Sequence, residues 1–325
     1  MKIFLTLFTI AVFHFNSVSQ TVSYVMPESF KDAISQEDYE IIAKQSLSVV
    51  SSRYQVDNLA NGTITITGRQ AFNLDNLVPK CAAEKDRTKW EGIIQDHFKS
   101  LFNSFDAKKK LNTTDYDYIR SYLSIRIYPD ATIEQRGGTA NFITRIDLDG
   151  TTTILMLDLP QAFTPVLKDD FNMWHKTIDE VFKEAIANVD KQKVEKATKV
   201  FTTDGSQIEF NFMENENYAA SYALDLSNNS PEFVGEWGSV VVVPDKGLVS
   251  ICKISKNKPV DFVKYIQQIK PLIERSYTQH ESPVSKEFFW YYEGKFTHIP
   301  VSVDDKGNVN VVAPSGLSNL MTVKK

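Results

Sequence analysis

Five polar residues in the central part of the chain could carry out acid–base chemistry if the fold brought them together. Asp158 ends a predicted strand, and His175 and Asp179 are four residues apart in a predicted helix. Residues at that spacing lie on one face of a helix, and histidine is the commonest general acid or base in enzymes. Tyr218 and Ser221 could complete such a site. The same spacing is also typical of an ordinary surface pair, so both interpretations stay open.

A short loop offers a second candidate, for binding rather than catalysis. Glu236 and Trp237 stand between Gly235 and Gly238, just before the most apolar strand of the chain. An aromatic side chain exposed on a loop is a common anchor at protein interfaces. The alternative is a buried tryptophan that closes the following hairpin. We therefore predict Glu236 and Trp237 as binding residues, on the condition that the loop is exposed.

The motifs of the commonest catalytic and metal sites are absent from the sequence. It contains no G-x-S-x-G nucleophile elbow, no H-E-x-x-H zinc helix, no dinucleotide fingerprint, no phosphate loop and no calcium-binding loop. The five histidines are scattered, and no closely spaced cysteine pair could supply thiolates to zinc. We expect no metal, no cofactor and no catalytic residue beyond the alternative set Asp158, His175 and Asp179.

Two cysteines leave the redox state open. Cys81 precedes a predicted helix, and Cys252 lies in a predicted strand. A single disulfide between them is conceivable in an exported protein. Two separate buried thiols are the alternative, because the sequence does not show whether the pair has the geometry that a disulfide requires.

The first nineteen residues resemble a secretory signal peptide. Lys2 supplies the positive charge, Ile3–Phe13 an apolar segment of eleven residues, and Ser17 and Ser19 the small residues before a cut at Gln20. Eleven apolar residues are too few to span a bilayer, and no later segment is long enough. We expect an exported, soluble mature chain, periplasmic or extracellular, without a membrane span.

The charge balance argues against a nucleic-acid partner. The chain has 36 Lys and Arg against 41 Asp and Glu, so its formal net charge is −5. Nucleic-acid surfaces are basic. The one tight basic run, Lys108–Lys110, suits a solvated end of a helix.

The hydrophobic pattern predicts an α+β fold. Apolar residues recur at helical spacing in about four segments, and strict alternation or dense apolar runs bounded by turn residues mark several hairpins. The first predicted helix begins near Ser29 or Ser35 and runs to about Arg53. Three more are predicted at Glu84–Phe105, Lys168–Asn188 and Pro259–Arg275, and Pro271 should kink or shorten the last one. The predicted hairpins pair residues 141–148 with 152–159, 199–202 with 207–213, 240–243 with 248–254, and 288–292 with 296–301.

We expect antiparallel or mixed sheets packed with these helices in two lobes. The lobes would comprise residues 20–160 and 161–325, with a hinge at Pro160–Pro165.

Several segments occur in an order that is typical of one bacterial family. They are Leu155–Pro160 (LMLDLP), Trp174 with the helix end Glu184–Asn188, Tyr218–Ser221 (YAAS), Val240–Ile251 (VVVVPDKGLVSI) and Pro283–Ser285. This order resembles domain-of-unknown-function family 1444, mainly over the second half of the chain. Two features depart from the family pattern: the signal peptide, and Asp245-Lys246 where Arg-Asp is commoner. The family has no settled activity, so the resemblance implies a fold and no reaction.

These observations favour a non-catalytic binding or interaction module of the cell envelope, whose partner is an unknown protein or envelope component. Missing catalytic motifs, acidic charge and many hairpin edges support that expectation. The alternative is a hydrolase whose active site, built around Asp158, His175 and Asp179, assembles between the lobes.

Overall fold

The computed structural model describes residues 21–67, 70–135, 138–160, 162–203 and 206–322. The predicted signal peptide, residues 1–19, lies outside the described residues. The chain divides into two compact units between Lys99 and Ser100. The predicted lobe boundary at residues 160 and 161 falls inside the second unit.

Unit 1 is a four-stranded sheet with helices. Its strands are β1 (Thr21–Val22), β2 (Val56–Ala60), β3 (Thr63–Ile66) and β4 (Gln70–Asn73), in that spatial order, with only the β1–β2 pair parallel. Its helices are α1 (Gln36–Ser51), α2 (Leu77–Ala83) and the first part of α3 (Trp90–Lys109), which crosses the division. Ser35 caps α1 by accepting a hydrogen bond from the Asp38 N–H. Apolar side chains of α1 and the sheet form the buried interior: Tyr39, Ile42, Leu59, Ile64 and Phe72.

Unit 2 holds the other helices and strands. In chain order, and apart from short 3-10 turns, they are α4 (Tyr116–Ile119), β5 (Leu123–Pro129), α5 (Asp130–Gln135), β6 (Thr144–Arg145), β7 (Thr151–Leu159), β8 (Ala162–Pro165), α6 (Lys168–Met173), α7 (Ile178–Val189), β9 (Glu195–Thr203), β10 (Ser206–Glu214), α8 (Ala219–Tyr222), α9 (Leu226–Asn229), β11 (Ser239–Asp245), β12 (Leu248–Lys253), α10 (Asp261–Gln279), β13 (Phe288–Tyr292), β14 (Lys295–Ile299), β15 (Val301–Val303), β16 (Val309–Val311) and α11 (Ser315–Thr322).

A six-stranded antiparallel sheet forms the centre of unit 2. Its order is β14-β13-β11-β12-β10-β9. Every residue of β11 is buried, because the sheet is covered on both faces and successive side chains point to opposite sides. Val240 and Val242 pack with α10 on one face. Val241 and Val243 pack on the other face with α7 and the core-facing residues of β5 and β7.

A smaller antiparallel sheet carries Asp158. β7 pairs along its length with β5, while β6 and β8 pair with shorter parts of β7. Leu155 and Leu157 enter the main core, whereas Met156 packs outside it. Since side chains alternate along a strand, Asp158 lies on the same side of β7 as Met156, away from the main core.

The α+β prediction is confirmed, with more helices than expected. Among the described residues only α1, α3, α7 and α10 have twelve or more residues, so the periodic pattern found the long helices and missed the one- and two-turn ones. The hairpins β9–β10, β11–β12 and β13–β14 form as predicted. The predicted strand 141–148 shrinks to Thr144–Arg145, and α10 continues past Pro271 to Gln279.

The prediction of a single helix over Lys168–Asn188 is wrong. α6 ends at Met173, and His175 adopts a left-handed backbone with φ of 51°. A new helix then starts because Thr177 and Glu180 form a capping box: each side chain bonds the other residue's backbone N–H. Strong start signals inside a periodic segment therefore divide it into α6 and α7.

Among the described residues, no helix is long and apolar enough to cross a membrane.

Candidate functional site

The side chains of Asp158 and Tyr218 are in contact, which is one of the arrangements that the sequence left open. The Tyr218 Oη donates a hydrogen bond of 2.5 Å to Asp158 Oδ2. Asp158 is on β7, and Tyr218 directly precedes α8, sixty residues further along the chain. Burial and the neighbouring carboxylate both raise the pKa of Tyr218 above its usual value. The phenol therefore stays protonated and acts as a donor to Asp158.

Arg126 completes this polar cluster, and it forms no salt bridge within the part of the chain that the structure describes. Its guanidinium stacks on the Phe163 ring at 3.9 Å and donates a 3.3 Å hydrogen bond to Asn217 Oδ1. Burial lowers the pKa of Arg126. Phe163 lies beside Asp158 in the β7–β8 pair and contacts Tyr218 edge to face. These contacts hold each polar group in place, and none of the described residues places a nucleophile beside a base in this cluster.

The other two members of the predicted catalytic set do not join Asp158. His175 lies between α6 and α7, and Asp179 lies in the first turn of α7, so they are not one turn apart on a single helix. Both are exposed. Among the described residues, neither side chain forms a hydrogen bond or ion pair with Asp158 or with each other. The Ser221 Oγ donates to the Ile125 carbonyl instead, which ties α8 to β5.

The loop with Glu236 and Trp237 is built into the hairpin it precedes. The Trp237 N–H donates to the Ile254 carbonyl, and its own carbonyl accepts from the Trp290 indole at 2.7 Å. The Trp237 side chain is partly buried against the core on the α10 side of the sheet. Glu236 is exposed and pairs with Lys256 at 3.2 Å. The ring is thus held by packing, which weakens Trp237 as a binding anchor.

An open cleft of about 770 Å³ lies where β10 ends and β12 begins. Its floor includes Asp245, which is buried and accepts hydrogen bonds from Ser276 Oγ and the Gly247 N–H. His280 faces Asp245 through Nε2 at 3.7 Å and accepts from the Ser282 N–H through Nδ1. Because Nδ1 already accepts a hydrogen bond, this nitrogen is not placed to act as a catalytic base. Three glutamates line the same cleft: Glu195, Glu214 and Glu216.

The outer edge of β9 is the feature that sequence reasoning missed as a site. β9 pairs with β10 over nine residues, and among the described strands it has no partner on its other side. Residues 195–202 are exposed. Val200 keeps 58 % and Phe201 44 % of its surface in contact with solvent. An edge strand of this length presents a row of unpaired backbone donors and acceptors.

A sequence signal for this edge did exist. The prediction identified a strand only at 199–202, because the preceding charged stretch resembled a loop. The β-branched Thr198, close to Val200 and Phe201, favours a strand and was a signal to extend it toward the N-terminus. Which strand ends up outermost depends on the pairing of distant segments, and no local pattern reveals that.

No family model, no curated protein and no solved structure matches this chain. Within the part of the chain that the structure describes, no group of three or more His, Cys, Asp or Glu side chains is arranged to hold a metal ion.

Proposed function

We propose that this chain is a non-catalytic binding module of the cell envelope, which takes up an extended segment of a partner protein along the outer edge of β9. The observation that carries the proposal is the nine-residue edge strand, which is exposed through residues 195–202 and has no partner on its outer side among the described strands. A peptide that adds a strand to such an edge gains main-chain hydrogen bonds, and its alternate side chains give specificity.

The side chains of β9 favour a different protein over a second copy as the occupant. Lys196 and Lys199 lie on the edge, and lysines there oppose uncontrolled pairing between copies. Lys196 is already engaged, since its Nζ bonds the Asn229 carbonyl and Glu232 at 2.7 Å each. Val200 and Phe201 leave apolar surface for a partner strand to cover.

Export remains part of the proposal and rests on the signal-like residues 1–19. Cleavage before Gln20 is the expected processing step, which N-terminal sequencing of the mature protein would test.

Membership of domain-of-unknown-function family 1444 is likewise proposed on the segments quoted above, and it adds no activity.

The hydrolase alternative draws less support from the contacts. It needs His175 or Asp179 beside Asp158, yet both are exposed at the α6–α7 junction and neither bonds Asp158. Asp158 is engaged by Tyr218 instead.

Site-specific photocrosslinking tests the proposed function. A benzophenone amino acid would replace Phe201 in the full chain, and a matched variant would carry it at Ile146, an apolar residue of unit 2 that is 73 % exposed. In envelope extract we expect a discrete adduct with another protein from position 201 and none from 146. An adduct of twice the chain's own mass would identify a second copy and overturn the assignment, as would equal labelling from both positions.

Blocking the edge supplies the second arm of the test. Residues of an antiparallel edge strand alternately bond their neighbour and point their N–H outward. Of Lys199→Pro and Val200→Pro, one therefore removes only an outward donor and keeps the native melting temperature. That variant should lose the adduct from position 201, and an undiminished adduct would contradict strand addition.

A further inference from the structure

The cleft beside β9 indicates what kind of segment the edge would take. Glu195 is the first residue of β9 and also lines the 770 Å³ cleft. The cleft and the exposed edge therefore form one continuous surface, with the cleft at one end and Val200 and Phe201 at the other.

The cleft carries an excess of negative charge. Glu195 and Glu214 face each other directly in the β9–β10 ladder, and Glu216 follows two residues later. Like charges directly opposite each other in a sheet are destabilising. Among the described lining residues Lys193 is the one lysine. Arg126 and Glu216 attract each other electrostatically, but within the described residues none of the three glutamates forms an ion pair. A cationic side chain placed here would relieve the repulsion.

The direction of the added strand follows from the sheet. All five strand pairs of the central sheet are antiparallel, and antiparallel pairing is slightly the more stable per residue. A segment antiparallel to β9 places its C-terminal end at Glu195. From Val200 to Glu195 the strand rises about 17 Å, at about 3.4 Å per residue.

We propose that the segment bound at β9 is apolar where it crosses Val200 and Phe201 and basic about five residues further toward its C-terminus, where its lysine or arginine enters the cleft. This rests on the proposed function, because it specifies the chemistry of the same edge. A two-fold pairing of all nine residues of β9 with its own copy does not satisfy it: the glutamate end would meet the segment Val200–Thr203, which has no cation.

Peptides of defined sequence test the proposal by fluorescence anisotropy on the full chain. The probes are amidated nine-residue peptides of alternating valine and threonine, each with an uncharged fluorophore on its N-terminus. One has two lysines at its C-terminal end, a second has them at its N-terminal end, and a third has two C-terminal glutamates. We expect the first to bind about tenfold more tightly than the second, since each exposed ion pair contributes up to about 1 kcal/mol. The glutamate peptide should be the weakest.

A charge-removing variant separates the two proposals. Glu195→Gln combined with Glu214→Gln and Glu216→Gln should abolish the preference for C-terminal lysines and leave residual binding of the peptides. Equal affinity of the two lysine peptides for the unmodified chain would overturn the charge assignment alone. If none of the peptides binds, or if the edge-blocking proline variant binds them unchanged, the proposed function falls as well.

Discussion

Replacing Asp190 with asparagine should stabilise the protein near neutral pH. Asp190 follows α7, and its Oδ1 accepts a 2.7 Å hydrogen bond from Asn229. Burial, together with the Asp225 carboxyl within hydrogen-bonding reach, raises the pKa of Asp190 from 3.8 to about 6. Both burial and a second carboxylate nearby raise the free energy of the ionised form of Asp190 and so favour its protonated form. Asparagine imitates the protonated form: its oxygen still accepts from Asn229, and its amide can donate to Asp225.

The sign and size of the effect follow from linkage. The folded protein holds the proton more tightly than the unfolded chain, so the stability due to this group is fully present below pH 3.8 and declines as the pH rises to about 6. The full shift corresponds to about 3 kcal/mol. Asp190 is only partly buried, and screening by solvent reduces the expected gain for Asp190→Asn to about 1 kcal/mol at pH 7.5.

Urea unfolding at pH 4, 5, 6 and 7.5, followed by intrinsic fluorescence, would measure this. The variant and the unmodified chain should have similar midpoints at pH 4, and the variant should gain steadily toward pH 7.5. Asp225→Asn should give a smaller gain, because it removes the neighbouring carboxylate but leaves Asp190 buried, and the double variant should gain little more than Asp190→Asn alone. Equal pH dependence in all four proteins would refute the carboxyl-pair reasoning.

Three further effects follow from the structure. Gly238→Ala should destabilise the protein by at least about 3 kcal/mol, since the new Cβ would lie 2.2 Å from a backbone oxygen at φ +78°. Gly294→Ala has open space around it at φ +75° and should cost only about 1 kcal/mol. Urea unfolding midpoints of the two variants measure the difference, and equal losses would contradict the close contact at Gly238. Tyr218→Phe should cost about 2 kcal/mol by leaving a carboxylate without its phenol donor, and an unchanged midpoint would show that water replaces the bond. Cys81 and Cys252 are free, buried thiols, and burial raises their pKa values to about 11 and about 12, respectively. A thiol reagent at pH 8 should therefore label them only when the protein unfolds. Labelling of the native protein within minutes would contradict their burial.

Local sequence patterns predicted much of this fold, because in the central sheet the strand and turn preferences of the sequence agree with the tertiary structure. The hairpin formed by β11 and β12 was visible as a dense valine run followed by a Pro-Asp-Lys-Gly turn, and it forms because both sheet faces are covered. The split between α6 and α7 was missed, since periodicity continues through a segment whose Thr177 starts a new helix.

The candidate site could be predicted only in part, for a related reason. Asp158 and Tyr218 were named together, but their contact depends on how β7 and α8 pack. His175 was assigned to a helix face that its left-handed backbone does not allow. The exposed edge of β9 was not predicted, because which strand lies outermost depends on the pairing of the whole sheet.

Amide hydrogen exchange of β9 tests the central claim most directly. The full chain would be measured by NMR with and without the peptide that carries C-terminal lysines. Strand addition predicts slower exchange at alternate residues within Glu195–Thr203, because only the outward N–H groups gain partners. No change in β9, or protection confined to the Gly235–Gly238 loop, would contradict the account.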